Sequence, residues 1–357
     1  MKIAYIVNHD LDKDDGVTKK IRMQVRQWKK EGLTVRVFST KANDNYQIND
    51  VYFYKKHSRF LLNRTLISDL SYYNPNVIYY RYSAWGRTLS KIVNDYPSVV
   101  EVNTNEEKEF FLLLKKDKTI KSLLLYLSNK FLRRYLIKKT NCLIGVTNEL
   151  AELDCNAKYC KDRVGIPNGI DLSEFKTEKT IDSNSRTGIF FMGTPNQPWH
   201  GVDFIEELSL KFRQYDFHIV GIEGEDSSNL FFHGYLNKND YVKVLKKCHV
   251  CVGSLALFRN QMNEGSPLKV REYVAYGYPV LVGYKDSSMD IELESPTWYK
   301  ELDFSCFNDN KDNIFDSFYY FIEDNKGYIL NEADKYKFSS EYTEKNRIDV
   351  FKKYASI

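Results

Sequence analysis

Glu264-Gly265-Ser266-Pro267-Leu268-Lys269-Val270-Arg271-Glu272-Tyr273-Val274-Ala275-Tyr276-Gly277-Tyr278-Pro279-Val280 reads as a loop, a short helix and a buried strand. Ser266 suits the N-cap, Pro267 the first helical position, and Gly277 with Pro279 ends the helix. A helix that starts this abruptly leaves its first N–H groups unpaired, and these groups with the helix dipole attract phosphate oxygens. Gly265 and Ser266 therefore form the rim of an anion seat. Glu264 and Glu272 would repel a bare phosphate, but an ionised carboxylate accepts hydrogen bonds from vicinal hydroxyls. A ribose and a hexose flanking a diphosphate meet both demands, and Lys269, one turn before Glu272 on the same face, answers the phosphate charge.

Around this stretch the chain alternates strand and helix. Lys2–Val7 is an apolar strand, a polar turn runs from Asn8 to Gly16, a helix follows from Val17 to Glu31, and Gly32 closes it before the strand at Val35. Gly16 stands at a loop-to-helix junction, where a glycine allows close backbone approach to a ligand. Strands at Val77–Tyr80, Val99–Val102 and Cys142–Gly145 continue the first α/β series. Open α/β sheets bind ligands beyond the carboxyl ends of their strands, which selects Arg81, Tyr82 and Asn103 as cleft candidates. Pro167-Asn168-Gly169-Ile170-Asp171 is a turn cluster, and the polar run from there to Arg186 marks the boundary between two halves. A second series begins at Gly188 and includes strands at Phe217–Val220, Val250–Gly253 and Val280–Gly283.

The chain of 357 residues suits two domains. With 43% hydrophobic and 28% charged residues it is a soluble globular protein. A net charge of +4, with no arrays of aromatic platforms between basic residues, argues against a nucleic-acid partner. The six cysteines form no framework, no signal peptide is visible, and no apolar run approaches the roughly 20 residues of a membrane span, so a reducing cytoplasm is the expected location. Cys248-His249-Val250-Cys251 lacks a second half-site for zinc, and Asp10-Leu11-Asp12 reads as a solvated loop, so no metal is expected.

The glutamate pair, with Pro-x-Lys-x-x-Glu and Ala-x-Gly-x-Pro-Val in register, resembles the donor-site signature of retaining GT-B glycosyltransferases of the large "group 1" (glycosyltransferase family 4-like) type. Pro167–Asp171 is similar to the domain junction of the same family. The resemblance implies an α/β protein of two Rossmann-like domains facing a cleft, 1–166 for the acceptor and 167–340 for the nucleotide sugar, with the helix at 341–357 crossing back to the first domain. It implies a UDP- or GDP-linked sugar as substrate, no separate cofactor, transfer with retention, and a glycan or lipid-linked acceptor. Glu264 would touch the transferred sugar and Glu272 the ribose, and the loop at Gly16 would lie near the donor phosphate.

The chain departs from the family pattern at two places. Asn103 stands where many relatives carry a histidine; asparagine orients a hydroxyl but shuttles no proton at pH 7. In Gly193-Thr194-Pro195-Asn196-Gln197-Pro198-Trp199-His200-Gly201, Thr194 and His200 replace the arginine and lysine that neutralise the donor diphosphate in relatives. The missing charge then falls to Lys269, to Arg259 in the preceding loop, and to His200 once a diphosphate raises its pKa. A catalytically silent binding or partner subunit of a glycosyltransferase complex, or a sugar-nucleotide epimerase, are the competing readings.

Residues 110–139 combine a leucine-rich face with many lysines and arginines. Such a stretch is either a hairpin whose leucines fill the core or a basic, apolar surface for an anionic membrane, which would place the protein peripherally on the inner face of the cell membrane.

Overall fold

The computed structural model describes residues 1–13, 15–177, 179, 186–289 and 295–355. Residues 178 and 180–185 of the polar run toward Arg186 lie outside these residues. The chain divides into two compact units, Met1–Pro167 with Thr343–Ile357, and Asn168–Tyr342.

In the first unit β1 (Lys2–Val7), β2 (Thr34–Ala42), β3 (Tyr46–Ile48), β4 (Val51–Lys55), β5 (Val77–Arg81), β6 (Ser98–Val102), β7 (Cys142–Gly145) and β8 (Asp162–Gly165) form one sheet in the order β3-β4-β2-β1-β5-β6-β7-β8. All neighbours are parallel except β3 and β4. Ile3 through Val7 are all buried, as a central parallel strand covered on both faces requires. Helices α1 (Gly16–Lys30), α2 (Arg64–Tyr73), α3 (Arg87–Asp95), α4 (Glu106–Asp117), α5 (Ile120–Lys139), α6 (Asn148–Glu152) and α7 (Asp154–Ala157) connect these strands.

In the second unit β9 (Gly188–Met192), β10 (Asp216–Val220), β11 (Leu230–Phe232), β12 (Val250–Val252), β14 (Val280–Val282) and β16 (Tyr299–Glu301) form a parallel sheet in the order β11-β10-β9-β12-β14-β16. The short pair β13 (Glu264–Gly265) and β15 (Lys285–Asp286) stands apart from it. Helices α8 (Val202–Lys211), α9 (Lys238–Leu245), α10 (Leu268–Ala275), α11 (Lys311–Asn325) and α12 (Glu332–Lys335) complete this unit, and α13 (Ser340–Tyr354) carries the chain back into the first. Both sheets reverse their strand order, at β1/β5 and at β9/β12. Ligands of open α/β sheets bind outside the carboxyl ends at such a reversal.

The terminal helix is part of the first unit's core. Phe351 is fully buried and meets Trp28 edge to face with ring centroids 5.1 Å apart. Trp28 Nε1 donates to Glu344 Oε2 at 2.7 Å.

Two local expectations are corrected. Helix α10 starts one residue later than its sequence suggests: Pro267 is the N-cap, no side chain caps the first turn, and Ser266 Oγ instead accepts the Asn168 N–H at 2.7 Å. The 110–139 stretch is a hairpin, α4 and α5 with Lys118 left-handed between them; Leu136 and Ile137 join the core, but the other leucines do not fill it. Ser122, Ser128, Asn129 and Arg133 face inward on α5, whereas Leu123, Leu124, Leu127 and Phe131 are exposed.

Candidate functional site

The loops after β9, β12 and β14 converge at the carboxyl edge of the second sheet. Leu255 N–H donates to His200 O at 3.0 Å, Ala256 N–H to Trp199 O at 3.2 Å and Gly283 N–H to Ser254 O at 2.9 Å. Glycine is needed where the loops after β9 and β10 crowd: a Cβ on Gly221, which has φ +86°, would come within 2.1 Å of Gly193 O.

Lys269 and Glu272 lie one turn apart on α10, whose first N–H groups have no side-chain cap. Lys269 Nζ rests 4.2 Å from the centre of the Phe191 ring, and burial lowers its pKa to about 7. Glu272 Oε2 accepts the Tyr241 hydroxyl at 2.8 Å, which fixes the carboxylate on α10. Glu264 lies on β13, with Lys285 Nζ 3.6 Å from Oε1. Gly265 precedes the helix against the Tyr284 ring, where a Cβ would come within 2.9 Å of ring carbons.

His200 braces the loop that leaves β9. Its Nε2 accepts the Thr194 backbone N–H at 3.1 Å, while Nδ1 faces Ser254 Oγ at 3.2 Å and Lys269 Nζ at 3.4 Å. Burial first and the Lys269 charge second lower its pKa to about 3, so the ring is neutral near pH 7. Both nitrogens are engaged, and protonation would break the Thr194 bond beside another cation. Arg259 is also committed, since its guanidinium donates to Asp203 at 2.8 and 2.6 Å and to Pro198 O at 3.0 Å. Thr194 and Arg259 line one shallow pocket, which Lys269 and Glu272 do not line.

In the first unit a buried charge cluster occupies the ends of β5 and β6. Glu101 accepts from Lys20 at 2.8 Å, from Arg347 at 3.3 Å and from Arg81 at 3.4 Å. Asn103 Oδ1 accepts from Arg81 at 2.8 Å and from Lys20 at 3.0 Å, and its amide donates to Glu101 at 3.2 Å. Asn103 is thus locked as a second-rank partner of the cations. Burial lowers Lys20 to about 8, against the opposing pull of Glu101. Tyr82 is corrected from an acceptor-side residue to a core one: it is buried, its hydroxyl bonds Asn129, and the Arg133 guanidinium covers its ring at 5.0 Å. Gly16 opens α1, but Asp15 caps that helix by accepting the Thr18 N–H at 2.9 Å, so a carboxylate already holds the place expected for a phosphate.

Sequence reading missed Tyr241, Ser254, Asp203 and the Lys20–Glu101–Arg347 cluster. Lys20 carried a signal, because it lies beside Ile21 and one turn before Gln24 on the inward face of α1. It missed Arg271 and Asp286 too. These form a buried bidentate pair, and Arg271 Nε donates to Asn168 O at 2.9 Å, tying the Pro167–Asp171 turn to α10.

No family model and no curated protein sequence matches the chain. Its architecture is similar to that of several solved structures. The sucrose-phosphate synthase from Thermosynechococcus elongatus is 13% identical over 99% of this chain and 98% of that one, with a TM-score of 0.64. The lipopolysaccharide outer core galactosyltransferase WaaB in its apo form is 10% identical over 99% and 100%, with a TM-score of 0.62. An alpha-glucosyltransferase in complex with UDP-glucose and DNA containing an abasic site is 12% identical over 99% of each chain, with a TM-score of 0.60. With its two Rossmann-like sheets, parallel except at the β3–β4 edge, and these likenesses over nearly its whole length, the chain has the GT-B fold.

Proposed function

We propose that the protein is a glycosyltransferase that moves a hexose-type sugar from a UDP- or GDP-linked donor to a glycan or lipid-linked acceptor, with retention, in cell-surface polysaccharide or glycoconjugate synthesis. The observation that carries this reading is Lys269 and Glu272 side by side on an uncapped helix at the reversal of the second sheet. An uncapped helix start and an ammonium suit a diphosphate, and the carboxylate fixed by Tyr241 suits a ribose. Glu264 is assigned to the hydroxyls of the sugar.

In this reading the sugar C1–O bond to the diphosphate breaks and a bond from C1 to the acceptor oxygen forms on the same face. The departing phosphate oxygen takes the acceptor proton. Asn103, held by Lys20 and Arg81, takes no part as a base. Lys269 and the α10 N–H groups stabilise the leaving diphosphate without a metal.

The exposed apolar side of α4 and α5 supports peripheral attachment to an anionic membrane. Phe111, Leu112, Ile120, Leu123, Leu124 and Phe131 are all exposed beside Lys115, Lys121, Lys130 and Arg134. Among the described residues no helix is long and apolar enough to cross a membrane.

A catalytically silent binding subunit is the second reading, favoured by the Arg259–Asp203 pair, which withdraws a cation from the donor loops. Calorimetry with UDP, GDP and their sugar conjugates, followed by an assay of donor turnover with membrane extracts as acceptor, separates the two. Nucleotide binding weakened by Glu272→Ala, together with turnover, supports the transferase. Binding without turnover supports the subunit, and no nucleotide binding overturns both.

A further inference from the structure

We propose that the first unit holds a phosphate-binding pocket and that its acceptor is a phosphate-bearing saccharide. Its assignment to the acceptor rests on the transferase reading above, whereas its preference for anions does not. The pocket lies outside the carboxyl ends of β1 and β5, where the first sheet reverses its order. Lys56, His57, Arg59 and Arg81 line it, and no aspartate or glutamate does.

Arg59 is the most telling of these residues. It is half-buried, burial lowers its pKa, and among the described residues no carboxylate pairs with it. A guanidinium withdrawn from water without a counter-ion is costly unless a ligand supplies the negative charge. Arg259 in the second unit, by contrast, has Asp203. Arg81 does not neutralise the pocket either, because its cluster sets three cations, Lys20, Arg81 and Arg347, against two carboxylates, Glu101 and Glu344.

The backbone adds to the same field. Helix α3 starts at the pocket wall with Gly86 as its N-cap and no side-chain acceptor for its first N–H groups, unlike α1 and α2, which Asp15 and Asn63 cap. The Arg87 N–H donates to Arg59 O at 2.7 Å, which pins the Arg59 loop to the helix start. Trp85 in the same wall offers a flat apolar face for a sugar ring. Three fixed or mobile cations, an imidazole and an uncapped helix start match a dianionic phosphate better than a singly charged carboxylate.

The test follows the His57 ring resonances of the full chain by NMR, assigned with His57→Gln, during titration with glucose 6-phosphate, glucuronate or glucose. Glucose 6-phosphate should shift His57 saturably, glucuronate more weakly and glucose not at all. Arg59→Ala should weaken the sugar phosphate by about ten-fold or more, and exposed Lys56→Ala, which threatens no packing, should weaken it less. Glu272→Ala should leave this titration unchanged, so a failed donor site and a failed phosphate pocket give different results. An equal response to glucose, a response to glucuronate alone, no response to glucose 6-phosphate, or wild-type affinity in both cation variants overturns the proposal.

Discussion

Nε2 of His200 accepts the backbone N–H of Thr194 at 3.1 Å, so this histidine is a strut for the loop that leaves β9. The titrating cation of the proposed donor site is then Lys269, lowered by burial to about 7. Its charge is present below that pH and lost as pH rises through it, although a bound diphosphate pulls the value back up. UDP affinity should fall between pH 7 and 9. Lys269→Arg should flatten that limb and Lys269→Ala should nearly abolish transfer, while His200→Gln leaves the limb in place. Calorimetry at four pH values checks this.

The same strut has a stability signature. His200 takes up its proton near 6.5 when unfolded but only near 3 when folded, so the unfolded state binds more protons in between. Stability should therefore fall as pH drops from 6.5 toward 3, by at most about 1.4 kcal/mol per pH unit from this residue. Denaturant titrations at pH 7 and 4.5 should show a smaller difference in His200→Gln than in wild type.

Glu272→Ala should weaken nucleotide binding by about 1.5–3 kcal/mol, and Tyr241→Phe by about 1 kcal/mol, since the hydroxyl only positions the carboxylate. Glu264→Ala should lower turnover more than nucleotide affinity. If Tyr241→Phe binds nucleotide as tightly as wild type, Glu272 needs no positioning partner.

Much of the architecture was legible because parallel strands buried on both faces read as short apolar runs, as at Ile3–Val7 and Ile189–Phe191. The glutamate stretch was legible too, since its helix ends at Gly277, which takes φ +93°. What sequence could not reveal was which polar groups satisfy each other across the chain. Tyr82 ends a strand as a ligand residue would, yet Asn129, 47 residues on, takes its hydroxyl. Arg133 sits in a basic run like its neighbours, yet it is buried against Glu106 and Asn156. His200 looked like a weak lysine substitute until its two nitrogens were placed.

Membrane attachment should therefore depend on Leu123, Leu124, Lys130 and Arg134 and not on Arg133. Flotation with phosphatidylglycerol vesicles should be lost in Leu123→Gln/Leu124→Gln and reduced in Lys130→Glu/Arg134→Glu, and should weaken as salt screens the attraction. Arg133→Glu should instead unfold the hairpin, because it places two buried carboxylates together, and circular dichroism would register that.

Asp286→Ala should cost about 3–5 kcal/mol, because it strands the buried Arg271 cation. Urea denaturation monitored by fluorescence measures it. Replacing both residues with apolar ones of similar size should cost less than the single change.

Arg347 joins Glu101 across 246 residues, and Trp28 joins Glu344 across 316. On the ribosome the first sheet is synthesised long before the helix that closes it. At about 5–20 residues per second the interval from Glu101 to Arg347 is roughly ten to fifty seconds. The second unit, one continuous span from Asn168 to Tyr342, emerges whole before then. Maturation order is therefore the reverse of synthesis order: the downstream unit completes first, and the upstream one waits with Trp28 uncovered. A nascent chain stalled before Phe351 would hold an unfinished first unit, with the Trp28 ring still uncovered.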